Sequence, residues 1–532
     1  MEFIQDSTSK QSLSSSIAPQ LRPYQQQVIK DLYALIRSGI KRNLIFAPTG
    51  AGKTIIGAQI IAHAVSKGRK VLFVVHRDVL ISQTQDKLRL YGIDSGFIKA
   101  GWQENRDALV QIASIQTLAH RHWWTEKETF YFYLIIFDEC HIVAFSSIAR
   151  QMMTKFFPSS LYLGLTATPW RLSKKESLGD IFNGVACTPM PYELIEQGYL
   201  VKPSYYGIEQ PDLKKVKTTN GEFDQHQLAI ACDQPELIEQ VVREWFRLAY
   251  GRRSIAFTVS IEHSRHISQA FQKLGIRAAH VDASTPTQIA NQIYQQLATG
   301  EIWVISSCMK LTEGFDVPEV SCILLCRPTK SKALFFQMVG RGLRLSPESN
   351  KRDCLIIDQA GNVIRHSYIE DLKSINLHSS EQTEAGDAPK KLCPSADGGC
   401  GHYIYAGIMR CPHCSYKFTL TQKMPYLQAI KQLLSKADKE KLDFYREKLQ
   451  EGYKKLYSPG WAAIVFQEKY GHWPPDDWAK NAIFGYHSTS KDRETYQKYL
   501  IQIQERNQKP DDWIKRYMTM EFGLTEGIVK QA

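Results

Sequence analysis

Over most of the chain, short and almost unbroken apolar runs alternate with mixed stretches of helical length. The first ordered element expected is LRPYQQQVIKDLYALI (21–36), where Pro23 stands near the start and apolar residues recur at helical spacing. LIF (44–46), VLFVV (71–75), LVQIASIQTL (109–118), LIIFDE (134–139) and LYLGLTATP (161–169) then read as strands. Because these runs do not alternate with polar residues, both sheet faces must be covered, which implies a parallel sheet with helices on either side. The pattern loosens over 170–250 and resumes at 254 with SIAFTVS, AAHVDAST, WVISSC, CILLCRP and DCLIIDQAG, separated by the helical stretches IEHSRHISQAFQKLG and QIANQIYQQLATG. A second parallel α/β layer of similar size is therefore expected.

At 532 residues the chain exceeds one core, and roughly 150 residues per domain suggests about three or four units. The expected divisions are a serine-rich disordered tail (1–20), a first α/β domain (21–200), a connector (201–250), a second α/β domain (251–376), a polar linker (377–391), a cysteine-rich segment (392–418) and a helical region (424–532). The first residues hold an acid and lack both a basic segment and an apolar core, which excludes a secretory signal there. No apolar run approaches the ~20 residues needed to span a bilayer. The net charge of +12 favours a polyanionic partner, and residues 391–532, with 22 Lys and Arg against 16 Asp and Glu, carry half of that excess. Scattered cysteines in apolar segments fit reduced thiols in a cytoplasmic setting better than a disulfide framework.

The chemistry concentrates first at APTGAGKT (47–54). A strand empties into a turn in which Thr49, Gly50, Ala51 and Gly52 present backbone N–H groups to phosphate oxygens. Lys53 is placed for the β and γ phosphates of a nucleotide, and the Thr54 hydroxyl for Mg²⁺. Ala47 stands where the strict phosphate-loop pattern has glycine. The strand LIIFDE ends in paired acids, Asp138 to bind Mg²⁺ through water and Glu139 to polarise the attacking water.

Cys393 and Cys400, then Cys411 and Cys414, form two pairs that read as a Cys₄ zinc ribbon. The wider first pair leaves His402 or His413 open as an alternative ligand. In the tail, Trp461, Trp473 and Trp478 lie among charged residues. They either stack nucleic-acid bases or form the core of a small helical domain.

The ordered succession LRPYQ, APTGAGKT, VVHRDVLISQ, SIQT, DECH and TATP resembles the first motor domain of superfamily 2 (DEAD/DEAH-box) helicases. LTEGFDVPEV (311–320) and QMVGRGLRL (337–345) resemble that superfamily's motifs V and VI. The resemblance implies two tandem RecA-like domains that close over ATP. Gln25 would read adenine, and Gly314 and Asp316 would approach the nucleotide. Gln337, Arg341 and Arg344 would act in catalysis from the second domain, the two arginines lying three apart on one helical face. Thr166 and Thr168 would couple nucleotide state to the bound strand. His76, Arg77, Gln83, Ser114, Thr117 and Thr312 would lie along nucleic acid. Within the superfamily the chain resembles the RadD-like DNA-repair branch over residues 20–415, through DECH, GLTATPWRL, EGFDVPEV, GRGLRL and DCLIIDQAGN followed by a cysteine-rich segment. That implies a DNA-dependent ATPase using ATP, Mg²⁺ and Zn²⁺ and acting on single-stranded or branched DNA. An RNA helicase and a nucleotide-switched binding module that never translocates remain open alternatives.

Overall fold

The computed structural model describes residues 20–522 except 77–78, 100, 103–104, 121–130, 171–175, 309–310, 312–314, 379–387, 419–435, 472, 486–487, 508 and 511. Residues 1–19 of the expected tail (1–20) and the first residues of the expected helical region thus lie outside the described residues. Two units can be told apart, one over 1–418 and one over 419–532.

In the first unit, helix α1 (Pro23–Arg37) precedes β1 (Arg42–Phe46), α2 (Lys53–Val65), β2 (Val71–Val75), α3 (Val79–Arg89), β3 (Ser95–Ile98), β4 (Val110–Ser114), α4 (Ile115–His120), β5 (Leu134–Asp138), α5 (Cys140–Val143), α6 (Ser147–Gln151), β6 (Leu161–Thr166) and β7 (Gly184–Cys187). The strands form one sheet in the order β3-β4-β2-β5-β6-β1-β7, and every pairing is parallel. All five residues of β2 are buried, as an unbroken apolar run between two helical layers requires. The run LVQIASIQTL is only half strand. Ser114 ends β4, and its hydroxyl accepts from Thr117 N at 3.2 Å, which turns the remainder into α4.

After α7 (Pro191–Glu196) come β8 (Lys202–Gly207), the short hairpin β9 (Thr218–Thr219) and β10 (Glu222–Phe223), α8 (Gln225–Cys232), α9 (Pro235–Ala249), β11 (Ser254–Phe257), α10 (Ile261–Lys273), β12 (Ala278–His280), α11 (Thr287–Thr299), β13 (Val304–Ser307), β14 (Cys322–Leu325), α12 (Lys332–Gly340), β15 (Asp353–Asp358) and α13 (Asn362–His366). The second sheet runs β12-β13-β11-β14-β15-β8, again wholly parallel. Its edge strand β8 comes from the segment 201–250, expected as a connector. The amphipathic helix α9 of the same segment buries Val241, Val242 and Trp245 in the second domain's core. Buried residues of both domains, from Phe46 and Phe137 to Ile255 and Phe336, join in one apolar cluster, so the two domains share packing.

The cysteine segment folds as an antiparallel pair, β16 (Lys390–Leu392) and β17 (Tyr403–Tyr405); the end of the expected linker is thus its first strand. The pair sits on the outer edge of β8, where Gly207 N donates to Gly401 O at 2.9 Å and Tyr206 bridges His402. An exposed sheet edge is covered in this way. A side chain on Gly207 would collide with Leu392 and Tyr403, so glycine permits the contact.

The second unit contains α14 (Lys436–Lys454), α15 (Pro459–Tyr470), α16 (Ser490–Asn507) and α17 (Asp512–Phe522). Tyr445, Leu449 and Phe466 form one small core, with Trp461 and Trp478 packed against it, and Tyr496, Tyr499 and Leu500 form another. The tryptophans therefore divide: two are core, whereas Trp473 is 59% exposed. The buried Glu521 carboxylate accepts from the backbone N–H groups of Ala482, Ile483 and Phe484, holding the crossing loop to α17.

Candidate active site

The strand β1 is buried because it lies inside the first sheet, between β6 and β7. It delivers Ala47, whose N–H donates to Thr166 O at 3.0 Å. Ala47 is fully buried, so its methyl group is accommodated where the strict pattern has glycine. Gly50 and Gly52 take left-handed φ values of +91° and +83°, which suit glycine best. A Cβ at Gly50 would also meet Leu200 Cδ2 at 2.7 Å, and one at Gly52 would strike the Gln25 amide. No side chain caps α2, which opens at Lys53 with its N–H groups turned to the loop. The turn is braced from α1, with Tyr24 Oη and Gln25 Nε2 donating to Ala51 O at 2.9 and 3.0 Å, while Arg22 N donates to Gln25 Oε1. Gln25 thus supports the loop as well as standing where adenine reading was expected.

Lys53 Nζ lies 3.1 Å from Asp138 Oδ1 and closer still to Glu139. Burial opposes the ammonium charge, yet the two carboxylates outweigh it and hold the Lys53 pKa above its usual range. Glu139 follows β5 with φ of +45°, a conformation that costs a non-glycine residue of order 1–3 kcal/mol and is typically kept where the side chain must be aimed. Beyond it, the imidazole of His141 lies 3.5 Å from Glu139 Oε2 and shares a 3.0 Å hydrogen bond with Thr166 Oγ1. Thr166 Oγ1 in turn accepts from Thr168 N at 3.0 Å. Sequence reasoning named Thr166 and Thr168 but passed over His141, the residue that ties them to the acid pair. Its place inside DECH was the available signal.

The second domain contributes its part across the cleft. Arg344 pairs with Asp316, and the Arg341 guanidinium donates to Phe315 O at 2.8 Å. The two arginines do not share a helical face: α12 ends at Gly340. Arg344 then lies in an extended segment bridging Leu200, with Val201 N donating to Leu343 O at 2.9 Å. A side chain on Gly342 would collide with Cys354, so the backbone leaves the helix close against β15. A Cβ on Gly340 would meet Thr49, and one on Gly50 would lie 3.6 Å from Arg344 Cγ, so the arginine segment is packed against the phosphate loop itself. Gln337 is buried on α12. Lys87 of α3 adds a cation whose neighbours include Asp316, Arg344, Asp138 and Lys53; burial pulls its pKa down. Nothing in the local sequence marked it.

The expected nucleic-acid residues are less converged. His76 is buried at the end of β2, and Ser114 is buried with its hydroxyl 3.0 Å from that of Thr117. Arg77, Thr312 and Gly314 lie outside the described residues, as does the side chain of Gln83. Cys393, Cys400, Cys411 and Cys414 do converge, with all four sulfurs within 4.8 Å of one another. The Cys393–Cys414 and Cys400–Cys411 separations are 3.6 Å. Tetrahedral Zn²⁺ with Zn–S near 2.3 Å requires about 3.8 Å between sulfurs, so the donor set fits. His402 Nδ1 lies 3.2 Å from Cys400 Sγ and its ring stacks on His413, placing both imidazoles beside the sulfur cluster.

Residues 18–171 match the family described as the type III restriction enzyme res subunit, and residues 234–346 match the helicase conserved C-terminal domain, about half of the chain together. The chain belongs to the superfamily 2 helicases. This helicase is 31% identical over 363 residues to the Saccharomyces cerevisiae protein named ATP-dependent helicase IRC3, covering 65% of the chain but only 52% of that relative. It is 27% identical over 367 residues to the DNA 3'-5' translocase XPB2 of Sulfurisphaera tokodaii, covering 61% of the chain and 79% of that protein. Among solved structures, a fragment described as the HsdR subunit of a type I restriction enzyme from Vibrio vulnificus superposes with a TM-score of 0.52 at 22% identity, covering 66% of this chain and 67% of that one. That likeness speaks to the fold. None of the three singles out the RadD-like branch. Among the described residues of the helicase, no helix is long and apolar enough to cross a membrane.

Proposed function

We propose that this helicase is an ATP-driven DNA translocase that moves on or remodels single-stranded or branched DNA in repair or recombination, in the manner of the RadD-like branch. The observation that carries the reading is the convergence, in one cleft, of Lys53, Asp138 and Glu139 from the first domain with the segment Gly340 to Arg344 of the second, which packs on the phosphate loop. Thr54 and Asp138 would hold Mg²⁺, which with ATP supplies a phosphoanhydride ready for attack by water. Lys53 and the loop N–H groups bind phosphate oxygens, and Glu139 orients the water. The arginines neutralise charge developing on the far side, an arrangement worth roughly 10³ to 10⁵ in rate. His141 reports the position of Glu139 to Thr166. Because both domains grip the same phosphates, hydrolysis weakens the bridge between them and the cleft can reopen. The translocase relative favours DNA as the track, and the basic charge suits a polyanion. The four cysteines would hold Zn²⁺ as a clamp on the edge of the second domain, and their use as thiolates suits a reducing cytosol.

The test is steady-state ATP hydrolysis with no nucleic acid, then with single-stranded DNA, duplex, a fork and RNA, using Glu139→Gln as the blank. Strong stimulation by a DNA form is the expected result, and unwinding and triplex-displacement assays then distinguish strand separation from travel. Stimulation by RNA alone would overturn the DNA reading, and a rate indifferent to every nucleic acid would make the protein a nucleotide switch. Lys53→Ala should lose turnover while keeping its circular dichroism spectrum; near-normal turnover would defeat the assignment.

A further inference from the structure

Trp170 follows the Thr166–Thr168 turn by two residues and is 1% exposed. Its ring meets Phe336 edge-on, with centroids 5.1 Å apart at 69°. Lys332 Nζ stands 4.7 Å from the Trp170 centroid and 5.9 Å from that of Phe336. Lys332 is itself 7% exposed, and a desolvated cation over an indole face is held far more firmly than one at the surface. Lys332, Phe336 and Gly340 are successive i, i+4 positions on α12 and form one stripe along it. At its far end the same stripe meets Thr49 of the phosphate loop through Gly340. The helix that leads into the arginine segment therefore touches the first domain at two places, the phosphate loop and Trp170. On the first-domain side, Trp170 is joined to Thr168 through Pro169 alone, and Thr166 is hydrogen-bonded to His141 beside Glu139.

We propose that Trp170 is a positioning residue: with Phe336 and Lys332 it forms a latch that passes the position of the Thr166–Thr168 turn to α12, and so sets where Arg341 and Arg344 stand during turnover. The inference rests on the ATPase reading of the cleft and adds to it a route between the acid pair and the arginines. The turn cannot shift without carrying the indole, and the indole cannot shift without moving the Lys332–Phe336 end of α12, because the contact is packed and dry.

The experiment compares Trp170→Ala, Trp170→Phe, Lys332→Met and Lys332→Arg for kcat and KM of ATP hydrolysis, with and without single-stranded DNA, for affinity toward a fluorescent ATP analogue, and for melting temperature. Trp170→Ala and Lys332→Met should each lower kcat by roughly 3- to 30-fold, the range expected for a broken coupling contact, with analogue affinity unchanged. Trp170→Phe and Lys332→Arg, which keep a ring and a cation, should recover most of the loss. A kcat per folded molecule equal to wild type in Trp170→Ala and Lys332→Met, with only melting lowered, would overturn the proposal, as would an equal loss of analogue binding. If Trp170→Ala does not fold, the Lys332 pair decides alone, since methionine is an unbranched side chain only one atom shorter that fills most of the same space without the ammonium group. A wild-type protein that hydrolyses ATP but ignores DNA would defeat the DNA reading and leave the latch readable in basal kcat.

Discussion

Replacing Gly340 by alanine places a single methyl group between the two halves of the cleft. The site is helical, with ordinary backbone angles, so alanine suits α12 locally and is favoured over glycine there by up to about 1 kcal/mol. The obstacle is across the interface. The new Cβ would come within 2.7 Å of Thr49 Cγ2, and Thr49 Cβ, which no rotamer change can move, lies nearer still. Real Cβ atoms keep beyond 3.0 Å, so the end of α12 and the phosphate loop must separate by roughly 1 Å, and a 1 Å misplacement of catalytic groups costs about 10²-fold in rate. Lys53 and the loop stay with the first domain, so ATP affinity should be held while kcat falls by about that factor. Steady-state hydrolysis gives kcat, a fluorescent ATP analogue gives affinity, and a thermal melt tests the fold. If the interface yields, the melting temperature stays close to wild type; if it cannot, overpacking destabilises by about 1–3 kcal/mol. A kcat within about threefold of wild type, with an unchanged melt, would refute the reasoning, because the methyl group would then have found space the packing denies it.

Purified protein should hold zinc near stoichiometry and lose it when Cys411 and Cys414 are both changed to serine. Because Gly207 N–H is bonded to Gly401 O, hydrogen exchange at β8 should quicken in that variant, and unchanged protection would separate the ribbon from the sheet edge. The Glu370 carboxyl is pushed up to about 7, chiefly by burial, with Tyr205 Oη donating to it at 2.8 Å. The folded chain keeps this proton at pH values where the unfolded chain, near 4.5, has released it. The stabilising contribution is therefore present below about 4.5 and lost as pH rises toward 7. Glu370→Gln should accordingly raise stability at pH 8, on the order of 3 kcal/mol, and change it little at pH 4.5; equal melting curves at both pH values would contradict the buried-carboxyl account. Changing Arg344 to alanine should leave ATP analogue binding intact and slow hydrolysis, and parallel losses of both would assign it a structural part.

Most strands of both sheets were legible because unbroken apolar runs are a local property of strands buried on two faces, whereas the short strands β3 and β7 at the edges of the first sheet carry no such run and were not foreseen. The run at 109–118 was legible only in part: apolarity does not separate a buried strand from the helix that follows, and the Ser114 cap that divides them is a single hydroxyl. The segment 201–250 was opaque for a related reason. Its strand KPSYYG alternates in burial and has no apolar run, since it lies at the sheet edge and receives its cover from the cysteine ribbon nearly two hundred residues later. At the site, Lys53, Asp138, Glu139 and the four cysteines could be read from spacing, because phosphate loops and metal ribbons place their ligands within short stretches of chain. His141 was within view in DECH. Lys87, Trp170 and Lys332 were not, since each works through a residue distant in sequence.

By itself, the sequence determined that two parallel α/β layers would form, that the first would carry the phosphate loop and acid pair, and that four thiols would gather after the second. These follow from local pattern: apolar runs, glycines that tolerate left-handed turns, and ligands held close by short spacers. Only the tertiary structure decided that motif VI leaves its helix at Gly340, that Arg344 faces Gly50, that the ribbon closes the edge of β8, and that Trp170 meets α12. Each of those depends on surfaces from distant parts of the chain fitting together, and such complementarity exists only once those parts have folded against one another.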